Sequence, residues 1–412
     1  MDREESIKIL EDVIKINSEN GNEKEVAEYY QKVLKDHGIE SKLVDFSEGR
    51  SSLVAEISNG EGKKLGLTGH MDVVSAGDLD KWEHDPFEAY TEDGIIWGRG
   101  ASDMKSGLSA LVIALIEMNE KKNFKGTIRL LATVGEEVGQ FGSGQLTDEG
   151  YVDDLDAMII GEPCNVGFIY AHMGSLNYKV VSKGVTSHSS SPEGGSNAIE
   201  HLVEAMSQIT ADIQAESEKY ENEKLGKTFN NITLLKGGSQ VNSIPDYAEF
   251  EANARTIPEY DNAALIETVK AVFDELNKKD GFELSVEVTA DLPPVQAAED
   301  SDLIKSAEKI ANQHEKLRPD FLLHQMNDVM GGALGDIDAL INAAYKDNKV
   351  KPMTMAGTTD AAQFTRANKD LQFFVYGPGM PMLSHKVNER IPLDQYIEFI
   401  EFYKEVIEDY LA

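Results

Sequence analysis

Between Gly174 and Thr289 the sequence runs through six elements in the order strand, helix, strand, strand, helix, strand. The strands are read at 176–182, 228–236, 247–255 and 283–289, the helices at 197–215 and 262–278. In the first helix Ile199, Leu202, Val203, Met206, Ile209 and Ile213 form one apolar stripe, suited to a core rather than to a binding face. A β-α-β-β-α-β order is that of a ferredoxin-like split βαβ unit. What flanks it has another pattern. Ile7, Leu10, Val13 and Ile14, then Val26, Tyr29, Tyr30 and Val33, recur at helical spacing. Apolar runs at 52–57 and 64–74, a helix over 105–119 bearing Leu108, Leu111, Val112 and Leu115, and strand-like runs at 127–134 and 156–160 follow. After Pro293 the alternation resumes, with a buried strand at 371–376 and a closing helix at 393–410. The expectation is an α/β protein with a mixed central sheet in a larger domain, 1–173 and 292–412, and a smaller domain, 174–291, inserted into it.

Charge narrows the function classes. The 412 residues hold 73 acidic and 39 basic side chains, a formal charge of −34, which repels phosphate backbones and anionic headgroups. Neither nucleic acid nor a membrane is expected as a partner. No apolar run approaches the roughly 20 residues of a membrane-spanning helix, and Met1 to Glu5 begins no signal sequence, so a cytoplasmic location is expected. The single cysteine, Cys164, has no internal disulfide partner.

Chemistry-bearing residues gather where strands end, as sites in open α/β sheets usually do. Gly69-His70-Met71-Asp72 closes one run, and side chains two apart on a strand share a face, so Asp72 can orient His70. Gly98-Arg99-Gly100-Ala101-Ser102-Asp103 turns tightly into a helix. Glu136 and Glu137 stand side by side after an apolar strand, where two carboxylates repel unless a cation compensates them. Glu162 follows another apolar run, and His385 lies in a loop beyond strand 371–376. Taken singly, each is as well explained as a cap, a surface pair or a solvated loop. Together they offer imidazole and carboxylate donors suited to two divalent ions.

The ordered set His70-x-Asp72, Gly-Arg-Gly-Ala-Ser-Asp103-Met-Lys, Glu136-Glu137, Gly-Glu162-Pro and Ser-His385 resembles the co-catalytic metallopeptidase family that contains acetylornithine deacetylase, succinyl-diaminopimelate desuccinylase, aminoacylase and the glutamate carboxypeptidases. The resemblance spans nearly the whole chain, including Lys183 to Ser190 and Val241 to Asp246 in the inserted unit. It implies a zinc-peptidase-like catalytic domain and a lid domain through which two copies form a homodimer. It further implies two divalent ions, zinc first, with cobalt or manganese as alternatives. Asp103 would bridge them, His70 and Glu162 would complete one position, and Glu137 and His385 the other. Asp72 would orient His70, Glu136 would be the general base, and His188 would support the oxyanion, commonly from the partner subunit. Arg255 would pair with a substrate carboxylate, with Asn242, Gly357 and Thr358 as further substrate contacts.

By this resemblance the chain is a metal-dependent amidohydrolase acting on an N-acyl amino acid, N-succinyl-diaminopimelate first; the alternatives are a dipeptidase or an aminoacylase. Two features depart from the desuccinylase pattern. Ala171-His172-Met173 stands where an arginine for the succinyl carboxylate is typical, with Lys183 as a possible substitute cation. An apparent insertion also runs from about His324 to Asn348, which either narrows the substrate entrance or decorates the surface.

Overall fold

The computed structural model describes residues 1–164 and 166–412, which divide into two compact units. The first comprises Met1–Tyr170, Ala297–Met353 and Thr359–Ala412, the second Ala171–Gln296 and Thr354–Thr358. The division falls at Ala171 and Gln296, against the expected 174 and 291. Thr354–Thr358 groups with the second unit, where the Met173 N–H donates to the Met355 carbonyl at 3.1 Å.

The first unit opens with α1 (Arg3–Lys15), capped by Asp2, whose carboxylate accepts the Glu5 N–H, and α2 (Glu23–Asp36). Then come β1 (Ser41–Ser47), β2 (Arg50–Asn59), β3 (Lys64–His70), short β4 (Tyr90–Glu92) and β5 (Ile95–Trp97), α3 (Lys105–Lys121), β6 (Gly126–Thr133), α4 (Phe141–Asp148), β7 (Ala157–Pro163) and β8 (Gly167–His172). The stripe expected on α3 proves to be part of something larger, since every residue from Lys105 to Met118 is buried. A helix apolar on all sides is one that runs through a core.

The second unit holds β9 (Gly174–Lys183), β10 (Ser187–His188), α5 (Ala198–Ser217), β11 (Phe229–Gly237), β12 (Ser243–Ile244), β13 (Tyr247–Thr256), α6 (Asn262–Leu276), β14 (Glu283–Leu292) and β15 (Val295–Gln296). Its sheet has the order β11-β13-β9-β14 with every neighbouring pair antiparallel, the ferredoxin-like arrangement. Leu202, Ile209 and Ile213 of α5 and Leu265, Val269 and Phe273 of α6 pack with Tyr178, Val180, Phe250 and Leu284 of the sheet in one core.

The chain then continues, mostly within the first unit, with α7 (Asp302–Ala311), α8 (Pro319–Val329), α9 (Ile337–Ala344), β16 (Lys351–Met355), α10 (Ala361–Phe364), β17 (Gln372–Gly377), β18 (Arg390–Pro392) and α11 (Leu393–Tyr410). In the main sheet the order runs β1-β2-β6-β3-β7-β17-β8. The four strands β6, β3, β7 and β17 are parallel, while β1, β2 and β8 join antiparallel at the flanks. Among the described residues no helix is long and apolar enough to cross a membrane.

Candidate metal centre

The four adjacent parallel strands deliver their carboxyl ends to one place. His70 is the last residue of β3, paired with Thr133 at the end of β6, from which Glu136 and Glu137 follow directly. Glu162 lies at the end of β7, and β17 leads on to His385. Asp103 arrives from the turn before α3, a helix that packs against β7 through a glycine pair. A Cβ at Gly107 would stand 1.8 Å from the Gly161 carbonyl oxygen, so only glycine permits this approach.

Geometry brings together all five expected ligands and the expected base. His70 Nε2 is 3.3 Å from Asp103 Oδ1 and 3.4 Å from Glu162 Oε1. His385 Nε2 is 3.0 Å from Glu137 Oε1 and 3.5 Å from Asp103 Oδ2, so Asp103 stands between the two histidines. Donor atoms of His70, Asp103 and Glu137 all lie within 4.8 Å of one another, as do those of His70, Glu136 and Glu162. Asp72 is placed differently from the simple pairing expected of it. His70 Nδ1 donates to the Asp72 main-chain carbonyl at 2.9 Å, with the carboxylate at 3.6 Å. That carboxylate instead accepts the N–H groups of Glu136 and Glu137, each at 3.1 Å. A carbonyl can only accept, so Nδ1 carries a proton and Nε2 is left facing Asp103 and Glu162, the orientation of a metal-binding imidazole.

The electrostatics call for cations. Burial pushes Glu136 well above the ordinary carboxylate range; His70 opposes the shift, and Asp360, Glu137 and Asp72 add to it. Burial raises Glu162 in the same way, with His70 opposing and Asp103 adding. Burial alone would lower His70, but Glu162, Asp103, Asp72 and Glu136 outweigh it and hold the imidazole well above its usual value. Asp103 is raised by burial but ends below its usual value through His70 and His385. So much negative charge around two imidazoles is what divalent cations relieve, and the nitrogen and oxygen donors suit zinc, cobalt or manganese.

The sequence did not single out several residues that build this site. Glu389 is fully buried; its Oε1 accepts the N–H groups of Ser102 and Asp103 at 2.8 and 2.9 Å, and its Oε2 pairs with Arg99 at 2.5 Å. It therefore fixes the Asp103 turn from the position just before β18, which follows the His385 loop. Gln140 Nε2 donates to Glu136 Oε1 at 3.2 Å. Asp360 accepts from Thr133 at 2.6 Å and Ser143 at 2.5 Å, pinning β6 to α4 around the two glutamates. The only signal available was a polar residue a few positions from a motif, as with Glu389 after His385 and Gln140 after Glu137.

The remaining expected residues belong to the second unit. His188 is exposed, its Nδ1 2.8 Å from Ser190 Oγ, and it pairs across β10 and β12 with Ser243, beside the exposed Asn242. Arg255 is half-buried on β13 opposite Ser175. Gly357 is exposed and Thr358 half-buried. His172 is buried, its Nδ1 donating to the Met173 carbonyl at 2.9 Å, and burial pulls its pKa down to about 4. Lys183 is exposed and faces Glu283 at 3.4 Å.

Comparison with known proteins bears on the family. The model of peptidase family M20/M25/M40 matches 66–333 and 326–409. A protein of Staphylococcus epidermidis named probable succinyl-diaminopimelate desuccinylase is 37% identical, covering 100% of this chain and 99% of its own. A Staphylococcus aureus protein of the same name is 34% identical over 99% and 98%. Among solved structures, an M20 family metallo-carboxypeptidase from Sulfolobus solfataricus aligns with a TM-score of 0.74 at 18% identity, covering 100% of this chain and 99% of that one. The chain belongs to peptidase family M20/M25/M40 and is an amide-bond hydrolase.

Proposed function

We propose that this protein is a dinuclear, metal-dependent amidohydrolase that removes the acyl group from an N-acyl amino acid, with N-succinyl-diaminopimelate as its substrate. The observation that carries the reading is the convergence of His70, Asp103, Glu136, Glu137, Glu162 and His385 at the ends of four parallel strands. Whole-length identity of 34–37% to relatives named probable succinyl-diaminopimelate desuccinylase supports the substrate. A Bacillus subtilis protein described as a dinuclear metal-binding peptidase of the M20 family shares the fold, with a TM-score of 0.65 at 17% identity.

Asp103 would bridge two divalent ions, His70 and Glu162 hold one, and Glu137 and His385 hold the other. When bound, the ions lower the pKa of water and polarise the amide carbonyl. Glu136 takes the proton from the attacking water and returns it to the departing amine, a task that suits a carboxylate whose pKa burial raises above the ordinary range. The Asp72 carboxylate orients the Glu136–Glu137 turn by its two backbone contacts, and Gln140 holds the Glu136 carboxylate. Arg255, Asn242, Gly357 and Thr358 are assigned to substrate binding and His188 to the oxyanion. We also assign a homodimer through the second unit, in keeping with the edge strand β11 exposing Leu234 and Leu235 and with Ile199 and Val203 exposed on α5.

One observation favours a dipeptidase or aminoacylase instead. With a pKa near 4, His172 is neutral at pH 7 and offers no charge to a succinyl carboxylate, which leaves Arg255 as the candidate anchor in that unit. A panel of N-succinyl, N-acetyl and dipeptide substrates, each assayed with zinc, cobalt and manganese, separates the readings. Highest kcat/KM on the N-succinyl compound is the expected result; preference for a dipeptide overturns the assignment of substrate.

A further inference from the structure

The stretch that the resemblance left unassigned folds into a helical hairpin, α8 and α9, and it packs against the loop that carries His385. Leu323 and Met326 of α8 and Ile337 of α9 share one buried apolar cluster with Met380 and Leu383, which lie just ahead of His385 in the chain. On the far side of His385, Arg390 donates through Nη2 to the carbonyl of Val329, the last residue of α8, at 2.7 Å, and through Nη1 to the Asn388 carbonyl, also at 2.7 Å. The hairpin thus grips the loop both before and after the histidine. It is itself a built element: Asn327 Oδ1 accepts the Leu334 N–H at 2.9 Å across the turn, and Asp336 caps α9 through the Ala339 N–H at 3.0 Å.

Among the described contacts the loop holds its own geometry through two short turns only: the Leu383 and Ser384 N–H groups both donate to the Met380 carbonyl, at 2.8 and 3.3 Å, and the Lys386 N–H donates to the Leu383 carbonyl at 3.2 Å. His385 and Asn388 adopt φ of +63° and +60°, a left-handed conformation uncommon outside glycine, although histidine and asparagine take it more readily than most residues. The surroundings include the hairpin, the contact between the Met380 N–H and Ser102 Oγ at 2.6 Å, and Glu83, whose N–H donates to Asn388 Oδ1 at 2.8 Å and whose carboxylate accepts from Asn388 Nδ2 at 3.1 Å.

We propose that the α8–α9 hairpin is a positioning element for His385, so that its packing sets how tightly the metal position shared by His385 and Glu137 is held. This rests on the assignment of His385 as a ligand. A ligand displaced by about an ångström loses much of its worth to a metal, because donor distance and direction are both narrow. The other position takes His70 and Glu162 from the ends of β3 and β7, and neither residue belongs to the hairpin's cluster.

The test is calorimetric titration of the metal-free protein with zinc. The Leu323→Ala/Ile337→Ala variant is expected to weaken one of two zinc equivalents roughly 10- to 100-fold, the range for loss of a group that supports a ligand, and to spare the other. Leu323→Met with Ile337→Leu should restore it. In a His385→Ala background the same hairpin substitutions should have no further effect, since they act through that residue. Equal weakening of both equivalents, an additive effect on top of His385→Ala, or two equivalents still bound at wild-type affinity would each overturn the proposal. If His385→Ala itself leaves both equivalents intact, the ligand assignment is what fails. Should circular dichroism show the double variant unfolded, Met326→Ala carries the same comparison.

Discussion

His70 and His385 are held in opposite ways. His70 ends a strand flanked by two parallel neighbours, its side chain 1% exposed and its Nδ1 fastened to a main-chain carbonyl. His385 lies well beyond the end of β17, its side chain 54% exposed, in a left-handed turn braced by a hairpin. A ligand at a strand end inherits its position from the ladder of the sheet. One on a loop must borrow position from whatever packs against that loop, and its affinity depends on those contacts. The two halves of the centre should therefore differ in affinity, although their donor atoms are chemically alike.

The largest effect expected is on the residue that both halves serve. Glu136→Gln should lower kcat by roughly 10²- to 10⁴-fold, because an amide cannot accept and return the proton. Zinc content should stay at wild-type level. Glu137→Gln, one residue on, should lose zinc from one position only. Equal zinc loss in the two variants, read by elemental analysis, would mean that Glu136 is a ligand, a reading that its place in the group with His70 and Glu162 keeps in view.

The comparison sharpens on removing the histidines themselves. His70→Ala should cost the zinc equivalent that His70 shares with Glu162, and His385→Ala the one that His385 shares with Glu137. In the wild-type protein, dialysis against a chelator of graded strength should strip the His385 position first. Simultaneous loss of both ions along the whole series would show that Asp103 couples the two positions too strongly for their scaffolds to matter.

The strand-borne half of the site was legible in the sequence and the loop-borne half only partly. His70 and Glu162 follow apolar runs whose ends are readable because a buried strand needs a continuous apolar stretch. Glu389 escaped notice because its partners, the N–H groups of Ser102 and Asp103, lie 287 and 286 residues away, and no local pattern announces a contact with backbone. The contacts of Asp72 were legible only in part for a related reason. Spacing puts two side chains on one face, but it does not say that a carboxylate will find two free N–H groups in the neighbouring turn more favourable than the imidazole. The six-element order of the second unit was readable because its two helices and the strands β9 and β13 each have a buried face and an exposed one, while β11 has no fully buried residue.

Stability should divide along the same line. Gly107→Ala drives a methyl group into the Gly161 carbonyl where α3 meets β7, and neither backbone can give way. Thermal melts should show a loss of about 3 kcal/mol or more, the upper end for overpacking. In the turn of the hairpin Gly331 has φ of +65° and open space around its missing Cβ. Gly331→Ala should cost only about 1 to 2 kcal/mol, for the left-handed backbone alone. A larger loss at Gly331 than at Gly107 would show that the hairpin, not the sheet, limits the stability of this unit.

The smallest effect concerns the root of the hairpin, where His314 precedes α8. Its Nδ1 lies 2.8 Å from Glu398 and its Nε2 3.3 Å from Glu405, both on α11. The hydrogen bond to Glu398 raises the imidazole pKa, burial opposes this, and Glu405 adds to the rise. A histidine whose pKa is raised on folding stabilises the protein fully below its unfolded pKa of about 6.5, and that contribution disappears as pH climbs through the higher folded value. His314→Gln should therefore melt below wild type at pH 6, with the gap closing above neutrality as the wild-type imidazole loses its proton. The glutamine keeps a donor for one glutamate but no charge for either, so the pH dependence isolates the ionic part of the contact. A gap that is constant with pH would reduce His314 to a packing residue, and one that widens as pH rises would reverse the sign of its coupling to α11.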